Sequence, residues 1–155
     1  MSKKGENIKV VAVNRKVKRL FDLLESIEAG LVLTGTEIKA IRAGKVSFKD
    51  CYVHFQGQEA FLTGLHIGQY ENAGYSWHVP DRDRKLLLHR REIDNLRGKV
   101  EQKGLSMVPT RIYLKNSKAK VELALARGRK LHDQREELKR RAMARDTARE
   151  MNKYK

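Results

Sequence analysis

The sequence predicts a mainly β protein with short helices, folded as one small β-barrel and followed by a basic C-terminal tail. Three observations support this prediction: short runs in which apolar and polar residues alternate, two short segments with helical periodicity, and a last stretch that contains no glycine or proline. A length of 155 residues suits a single domain, and 40% hydrophobic residues are enough for a small core. Disorder of the whole chain is therefore excluded.

The alternating runs predict five strands. Two pairs of runs are separated by the short polar turns 56–58 and 115–117, and each pair therefore predicts a β-hairpin. Pro109 precedes the second hairpin and is expected at an edge or in a bulge, because proline has no backbone N–H to donate to a neighbouring strand. The runs cover residues 21–29, 51–55, 61–67, 112–114 and 121–125.

Two helices are predicted between these strands. Thr34 and Glu37 form a capping box that begins the first helix, and Gly44 ends it. Residues 90–103 carry apolar side chains at spacings of three and four, and Gly104 ends this second helix. Short strands with two short helices are typical of a small closed or nearly closed barrel whose openings the helices cover. The OB-fold is such a barrel and frequently binds oligonucleotides.

The charge is concentrated at the two ends of the chain. The chain carries 34 Lys and Arg against 19 Asp and Glu, a net charge of +15, and residues 1–19 and 127–155 contribute +6 each. This distribution predicts a basic N-terminal arm at residues 1–13, a folded barrel at residues 14–130 and a basic tail at residues 131–155. A surplus of this size attracts polyanions, so nucleic acid or an anionic membrane is the expected partner.

The tail has the composition of a helix that cannot fold alone. Glu136 precedes Arg140 and Glu137 precedes Arg141 by four residues, and each such pair stabilises a helix by ~0.2–0.5 kcal/mol. Its apolar residues are few and scattered, so it has little to bury. We expect the tail to be disordered when free and helical when bound to an anionic partner. A membrane is the weaker partner, because insertion requires a large apolar face.

Chemical motifs are scarce. No motif for a metalloprotease, a phosphate-binding loop, a nucleophile elbow or a dinucleotide fold occurs, and Cys51 is the single cysteine, so we predict no cofactor, metal or disulfide. An RNA-processing or RNA-modifying enzyme subunit remains an alternative, with Glu37 and His89 as its only candidate catalytic residues. A general single-strand binder is a further alternative, although only 6% of the residues are aromatic. The absence of an apolar run long enough to span a membrane predicts a cytoplasmic protein.

Six blocks of the sequence resemble the small protein B family, the tmRNA-binding proteins of bacterial trans-translation. The most specific blocks are Gly-Thr-Glu-Ile-Lys and Arg-Lys-Leu-Leu-Leu-His. The blocks lie in the order and spacing of the family, at residues 14–16, 28–30, 35–39, 42–44, 84–89 and 126–130.

This resemblance implies an OB-fold-like barrel without catalytic activity that binds the tRNA-like domain of tmRNA and delivers it to stalled ribosomes for rescue and peptide tagging. The tail would then be helical on the ribosome and would probe the decoding centre of the small-subunit rRNA and the empty mRNA channel. Membrane and DNA are not expected partners. Gln134 departs from the family, which usually has a lysine there.

The resemblance also implies three groups of binding residues. The tmRNA-binding group is Asn14, Arg15, Lys16, Glu28, Leu87 and Lys120. The decoding-centre group is Gly128, His132, Asp133 and Arg135. The group in the mRNA channel is Lys139, Arg140, Arg141, Arg145, Arg149 and Met151.

Overall fold

The described part of the chain folds as one antiparallel sheet of seven strands with short helices between them. The structure is a computed structural model, and it describes residues 7–69, 77–128 and 139–149. The strands lie in the order β1-β6-β7-β2-β5-β4-β3. In chain order the elements are β1 (Ile8–Val13), α1 (Lys16–Leu20), β2 (Phe21–Leu31), α2 (Gly35–Arg42), β3 (Val46–Gln56), β4 (Glu59–Ile67), β5 (Arg84–Leu87), α3 (Arg90–Lys103), β6 (Ser106–Lys115) and β7 (Lys118–Gly128).

The predicted mainly β class is confirmed, and the five predicted strands and both hairpins are present. The register of β6 and β7 shifts between Pro109 and Arg111, so the proline lies at a bulge, as expected. The sheet differs from the predicted barrel in one respect. In the described residues, β1 and β3 are the two edges of the hydrogen-bonded sheet, so the ladder does not close, although β3 packs across the core against β6.

Both predicted helices are present with their predicted caps. The hydroxyl of Thr34 accepts a hydrogen bond from the backbone N–H of Glu37, and the Glu37 carboxylate accepts one from the backbone of Thr34. Gly104 follows α3 in the left-handed conformation, with φ +61°. Local sequence signals were sufficient here, because capping depends on residues only three positions apart.

Three elements have no clear signal in the sequence. Ile8–Val13, assigned by its charge to the basic arm, is instead strand β1, which pairs with β6 from Ile8 opposite Lys115 to Val13 opposite Arg111. The segment shows no regular alternation, and the neighbouring strand β6 supplies its register. The other two elements, α1 and β5, contain five and four residues, which is too short for a periodicity to emerge.

A kink in β3 is part of this architecture. The register between β3 and β4 is interrupted between Phe48 and Tyr52, and Asp50 adopts a positive φ of 33°. Gly64 on β4 packs against this part of β3, and the carbonyl oxygens of Lys49 and Asp50 leave no space for a side chain at position 64. Its φ of +87° also favours glycine. Gly64 therefore allows the two strands to approach each other closely at the kink.

A charged cluster is buried beside the apolar core. Both Glu37 and Arg84 have an exposed fraction of 0%, and the carboxylate oxygen Oε2 lies 2.7 Å from Nη2 of Arg84. Arg82 donates to the same carboxylate from the rim. Burial alone would raise the pKa of Glu37, but the hydrogen bonds from Arg82, the Thr34 backbone and Arg84 outweigh it and lower the pKa to about 2. Glu37 is therefore a structural carboxylate that joins α2 to β5.

Candidate nucleic-acid interface

Four residues from four strands form a row across the sheet. Tyr113 on β6 is opposite Lys120 on β7, Lys120 is opposite Gly30 on β2, and Gly30 is opposite Leu87 on β5. Directly paired residues lie on the same face of a sheet, so the hydrogen-bonding register places these four side-chain positions together. Positions 30, 87 and 120 are thus neighbours despite their distance along the chain.

Gly30 determines how closely this row packs. A Cβ atom at Gly30 would lie 3.2 Å from Cδ1 of Leu87 and 3.6 Å from Nζ of Lys120. The side chains of Leu87 and Lys120 therefore approach each other over Gly30, where β2 has no side chain. Leu87 remains 55% exposed, so this leucine belongs to a surface and not to the core.

Glu28 lies on the same face, two residues before Gly30. Its Oε1 accepts a hydrogen bond from the Tyr113 hydroxyl, and Nζ of Lys115 lies 3.4 Å from its Oε2. The pKa of Glu28 is lowered, mainly by the hydrogen bond from Tyr113. Burial opposes this shift, whereas the charges of Lys115 and Lys120 add to it. Burial and the Glu28 carboxylate raise the pKa of Tyr113. At neutral pH the pair is therefore an ionised carboxylate held by a protonated phenol.

These residues line one open cleft, which we call the Gly30 cleft. It offers a lysine for phosphate, an ionised carboxylate that accepts from amino or hydroxyl groups, and an exposed leucine for apolar contact with a base or ribose. It is lined by Glu28, Gly30, Leu87, Leu88, His89, Glu92 and Lys120.

The other three predicted tmRNA-binding residues lie elsewhere. Asn14 follows β1 and is fixed to β6, because its backbone N–H donates to the carbonyl of Thr110 at 2.8 Å and its Nδ2 donates to the carbonyl of Pro109 at 3.0 Å. Arg15 and Lys16 come next, at the start of α1. Four residue steps along β6 separate the level of Pro109, which Asn14 contacts, from that of Tyr113 in the row with Gly30, about 13 Å at ~3.3 Å per strand residue. Asn14, Arg15 and Lys16 therefore do not line the Gly30 cleft, and their role in tmRNA binding stays a prediction.

The end of the sheet that carries Asn14 is also the end from which the tail begins. Gly128, the last residue of β7, is paired with Phe21, the first residue of β2. Residues 139–149 are helical, and each of them is exposed, including the predicted channel residues Lys139, Arg140, Arg141, Arg145 and Arg149. The remaining predicted residues His132, Asp133, Arg135 and Met151 lie outside the described residues.

The candidate catalytic residues of the alternative enzyme hypothesis have other roles. The Glu37 carboxylate is buried and held by two arginines, which leaves it no access to a substrate. The side chain of His89 is 91% exposed, and its residue precedes α3 as the N-cap. Among residues 7–69, 77–128 and 139–149, no group of three or more His, Cys, Asp or Glu side chains is arranged to hold a metal ion. In the same ranges no helix is long and apolar enough to cross a membrane.

A small antiparallel β fold with a net charge of +15 and an open cleft of this chemistry defines an RNA-binding β protein. The model of the SmpB protein family matches residues 11–153. The chain therefore belongs to the SmpB protein family.

Relatives and a solved structure agree with this assignment. The chain is 56% identical to the SsrA-binding protein of Nitratidesulfovibrio vulgaris over 154 residues, which covers 99% of this chain and 100% of the relative. It is 52% identical to the SsrA-binding protein of Nostoc punctiforme, with the same two coverages. A chain from a solved structure of tmRNA–SmpB at the centre of the bacterial ribosome is 47% identical and matches with a TM-score of 0.66 over 77% of this chain and 85% of that chain.

Proposed function

We propose that this protein binds the tRNA-like domain of tmRNA and delivers it to stalled ribosomes for trans-translation, as an adaptor and not as an enzyme. The observation that carries the proposal is the convergence of Glu28, Leu87 and Lys120 in the Gly30 cleft. The relatives support it, since they are SsrA-binding proteins and one solved relative comes from a structure described as tmRNA–SmpB and the bacterial ribosome. Activity on the ribosome would place the protein in the cytoplasm.

Each residue of the Gly30 cleft has a role suited to its chemistry. Lys120 neutralises a phosphate of the RNA backbone, which contributes affinity without reading the base. The ionised carboxylate of Glu28 accepts from an exocyclic amino group or a ribose hydroxyl. Leu87 covers the apolar side of the same nucleotide. Together they contact structured RNA at its backbone, its sugar edge and one base surface.

The basic tail serves the ribosome in this proposal. The folded body, which includes strand β1, carries the tmRNA, and residues 131–155 enter the small subunit. Gly128, His132, Asp133 and Arg135 would contact the decoding centre. The +6 charge of residues 127–155 suits a channel lined by phosphate. The exposed helix at residues 139–149, already present in the chain alone and not disordered there as the sequence predicts, is therefore stabilised in an mRNA channel that the message has left. The channel residues are Lys139, Arg140, Arg141, Arg145, Arg149 and Met151.

Substitution of Lys120 tests the Gly30 cleft. We expect Lys120→Ala to weaken binding to a tRNA-like tmRNA fragment and to reduce the slope of log affinity against log salt by about one, because one phosphate contact is lost. The measurement is a salt titration of affinity by filter binding or fluorescence anisotropy. Lys103→Ala, at an exposed lysine that ends α3, is the matched control and should leave both quantities unchanged. Equal affinities and slopes for the two variants would contradict the assignment.

Removal of one hydroxyl tests whether Tyr113 positions Glu28. We expect Tyr113→Phe to weaken tmRNA binding about tenfold, because a hydrogen bond to a charged group is worth ~1.5–3 kcal/mol and the freed carboxylate can rotate. The salt slope should stay unchanged, since no phosphate contact is lost. Tyr52→Phe, which removes a hydroxyl on the distant strand β3, is the control. A changed salt slope, or an affinity equal to that of the control, would contradict a positioning role.

A further inference from the structure

A second cavity lies at the end of the sheet where α1 meets the kinked part of β3. Its volume is ≈ 320 Å³, at the lower end of the range of roughly 300–1,000 Å³ for small-molecule sites. Three aromatic side chains, Phe21, Phe48 and Tyr52, line it together with Asn14 and Lys16. We call it the α1 pocket. It is separate from the Gly30 cleft, with which it shares no lining residue.

The kink in β3 forms one wall of this pocket. Three consecutive residues, Asp50, Cys51 and Tyr52, line it, which the strict alternation of a regular strand does not permit. Their arrangement depends on the register shift between Phe48 and Tyr52 and on the close approach of Gly64. Irregularities of this kind redirect side chains and often lie next to binding sites.

Helix α1, which forms one side of the α1 pocket, carries unneutralised positive charge. Arg15, Lys16, Lys18 and Arg19 lie on or next to α1, and all four are exposed. Lys16 is the cation of this group that lines the pocket. Within the described ranges no carboxylate lies within salt-bridge distance of any of the four. Four exposed cations within five residues are suited to contact the phosphates of a polyanion.

The interior of the pocket has different chemistry. The rings of Phe21, Phe48 and Tyr52 provide flat apolar surfaces, and Asp50, an exposed residue of the lining, brings a carboxylate that disfavours a phosphate next to it. The same carboxylate accepts from the amino group of a base. The amide of Asn14 is fixed by its bond to the Pro109 carbonyl, which leaves its Oδ1 as a second acceptor. An aromatic cavity with acceptors in its lining and cations on the adjoining helix suits a nucleobase whose phosphate lies against α1.

We propose that the α1 pocket holds one unstacked base of the small-subunit ribosomal RNA, with the adjoining phosphates on the cations of α1. The position of the pocket selects this RNA. Phe21 lines the pocket and pairs with Gly128, from which the tail begins, whereas the Gly30 cleft lies at the far end of β2. The choice of ribosomal RNA rests on the proposed function, but the affinity of the pocket for an unstacked base does not.

Tyr52 is the residue to substitute. It is 49% exposed, so removal of its ring leaves the core intact. We expect Tyr52→Ala to weaken binding to isolated small subunits roughly fivefold or more, because one stacking contact is lost, and Tyr52→Phe to retain normal binding. Trp77→Ala removes a ring that is 72% exposed and lies outside the pocket, and this control should bind normally.

A fluorescent probe tests the base itself. The full-length protein is titrated with a pentaribonucleotide that has 2-aminopurine at its centre and, separately, with one that has an abasic nucleotide there. Stacking on the rings should quench the fluorescence of 2-aminopurine with the wild-type chain and with Tyr52→Phe, but not with Tyr52→Ala. The abasic oligomer should bind the wild-type chain weakly, with an affinity like that of the 2-aminopurine oligomer for Tyr52→Ala.

Three results would overturn the proposal. Equal affinity for the probe and the abasic oligomer would show that only phosphates bind. Normal small-subunit binding by Tyr52→Ala would show that the pocket is a packing gap. A Tyr52→Ala variant that binds the tmRNA fragment poorly and small subunits normally would assign the base to tmRNA. Failure of the wild-type chain to bind any tmRNA fragment, with the probe still quenched, would instead refute the proposed function and leave the base site standing.

Discussion

Glu37→Ala is expected to lower the free energy of unfolding by about 3–5 kcal/mol, the range for removal of one partner from a buried ion pair. The reason is that Arg84, with an exposed fraction of 0%, would remain in the core without its counter-ion. A loss of this size is a large part of the total stability of a small domain. Urea unfolding at neutral pH, followed by circular dichroism, measures it.

An exposed ion pair supplies the control. Glu59 pairs with Lys85 at 3.0 Å on the sheet surface, and both side chains are at least 43% exposed. Glu59→Ala should therefore change the free energy of unfolding by no more than about 1 kcal/mol. A Glu37→Ala variant as stable as Glu59→Ala would show that the buried cluster contributes little.

The same cluster predicts a dependence of stability on acid. The pKa of Glu37 is lowered from 4.5 to about 2 in the folded chain, so its contribution is complete above pH 4.5 and is lost as the pH falls towards 2. The stability difference between the wild-type chain and Glu37→Gln should therefore narrow through this window. A difference that stays constant from pH 5 to pH 2 would mean that the carboxylate is not held as the structure describes.

Removal of residues 136–155 is expected to abolish peptide tagging on stalled ribosomes and to leave tmRNA affinity and the stability of the sheet unchanged. The described part of this segment, residues 139–149, is a helix with every residue exposed, so it contributes no buried surface to the body. Tagging in a reconstituted translation system, together with tmRNA affinity and urea unfolding of the same variant, tests the three expectations.

Two further variants separate charge from helicity. Changing Lys139, Arg140 and Arg141 together to Gln retains helix-forming residues and should reduce tagging, because contacts with phosphate are lost. Met143→Pro retains the charge and should also reduce tagging, because proline inside a helix costs ~3 kcal/mol. Strong protection of residues 139–149 from amide exchange in the free protein would contradict a tail helix that is stabilised only by the ribosome.

Much of this protein is determined by signals between residues that are close in sequence. Alternation predicted the hairpins, Thr34 and Glu37 predicted the start of α2, and the missing N–H of Pro109 predicted its bulge. The charge of +15 predicted a polyanionic partner. The sequence blocks that resemble the small protein B family indicated the family, which the match over residues 11–153 shows.

The tertiary structure decided what depends on register and burial. Strands β1 and β5 exist because neighbouring strands supply their pairing, which no local pattern reveals. The sequence alone allowed Glu37 to be a candidate catalytic residue. In the structure, its contacts with Arg82 and Arg84 make it part of the core. Glu28, Leu87 and Lys120 meet at Gly30, while Asn14 is fixed to β6 and lines a separate pocket. The physical reason is that interstrand hydrogen bonds fix which distant residues become neighbours, and this register is a property of the whole sheet.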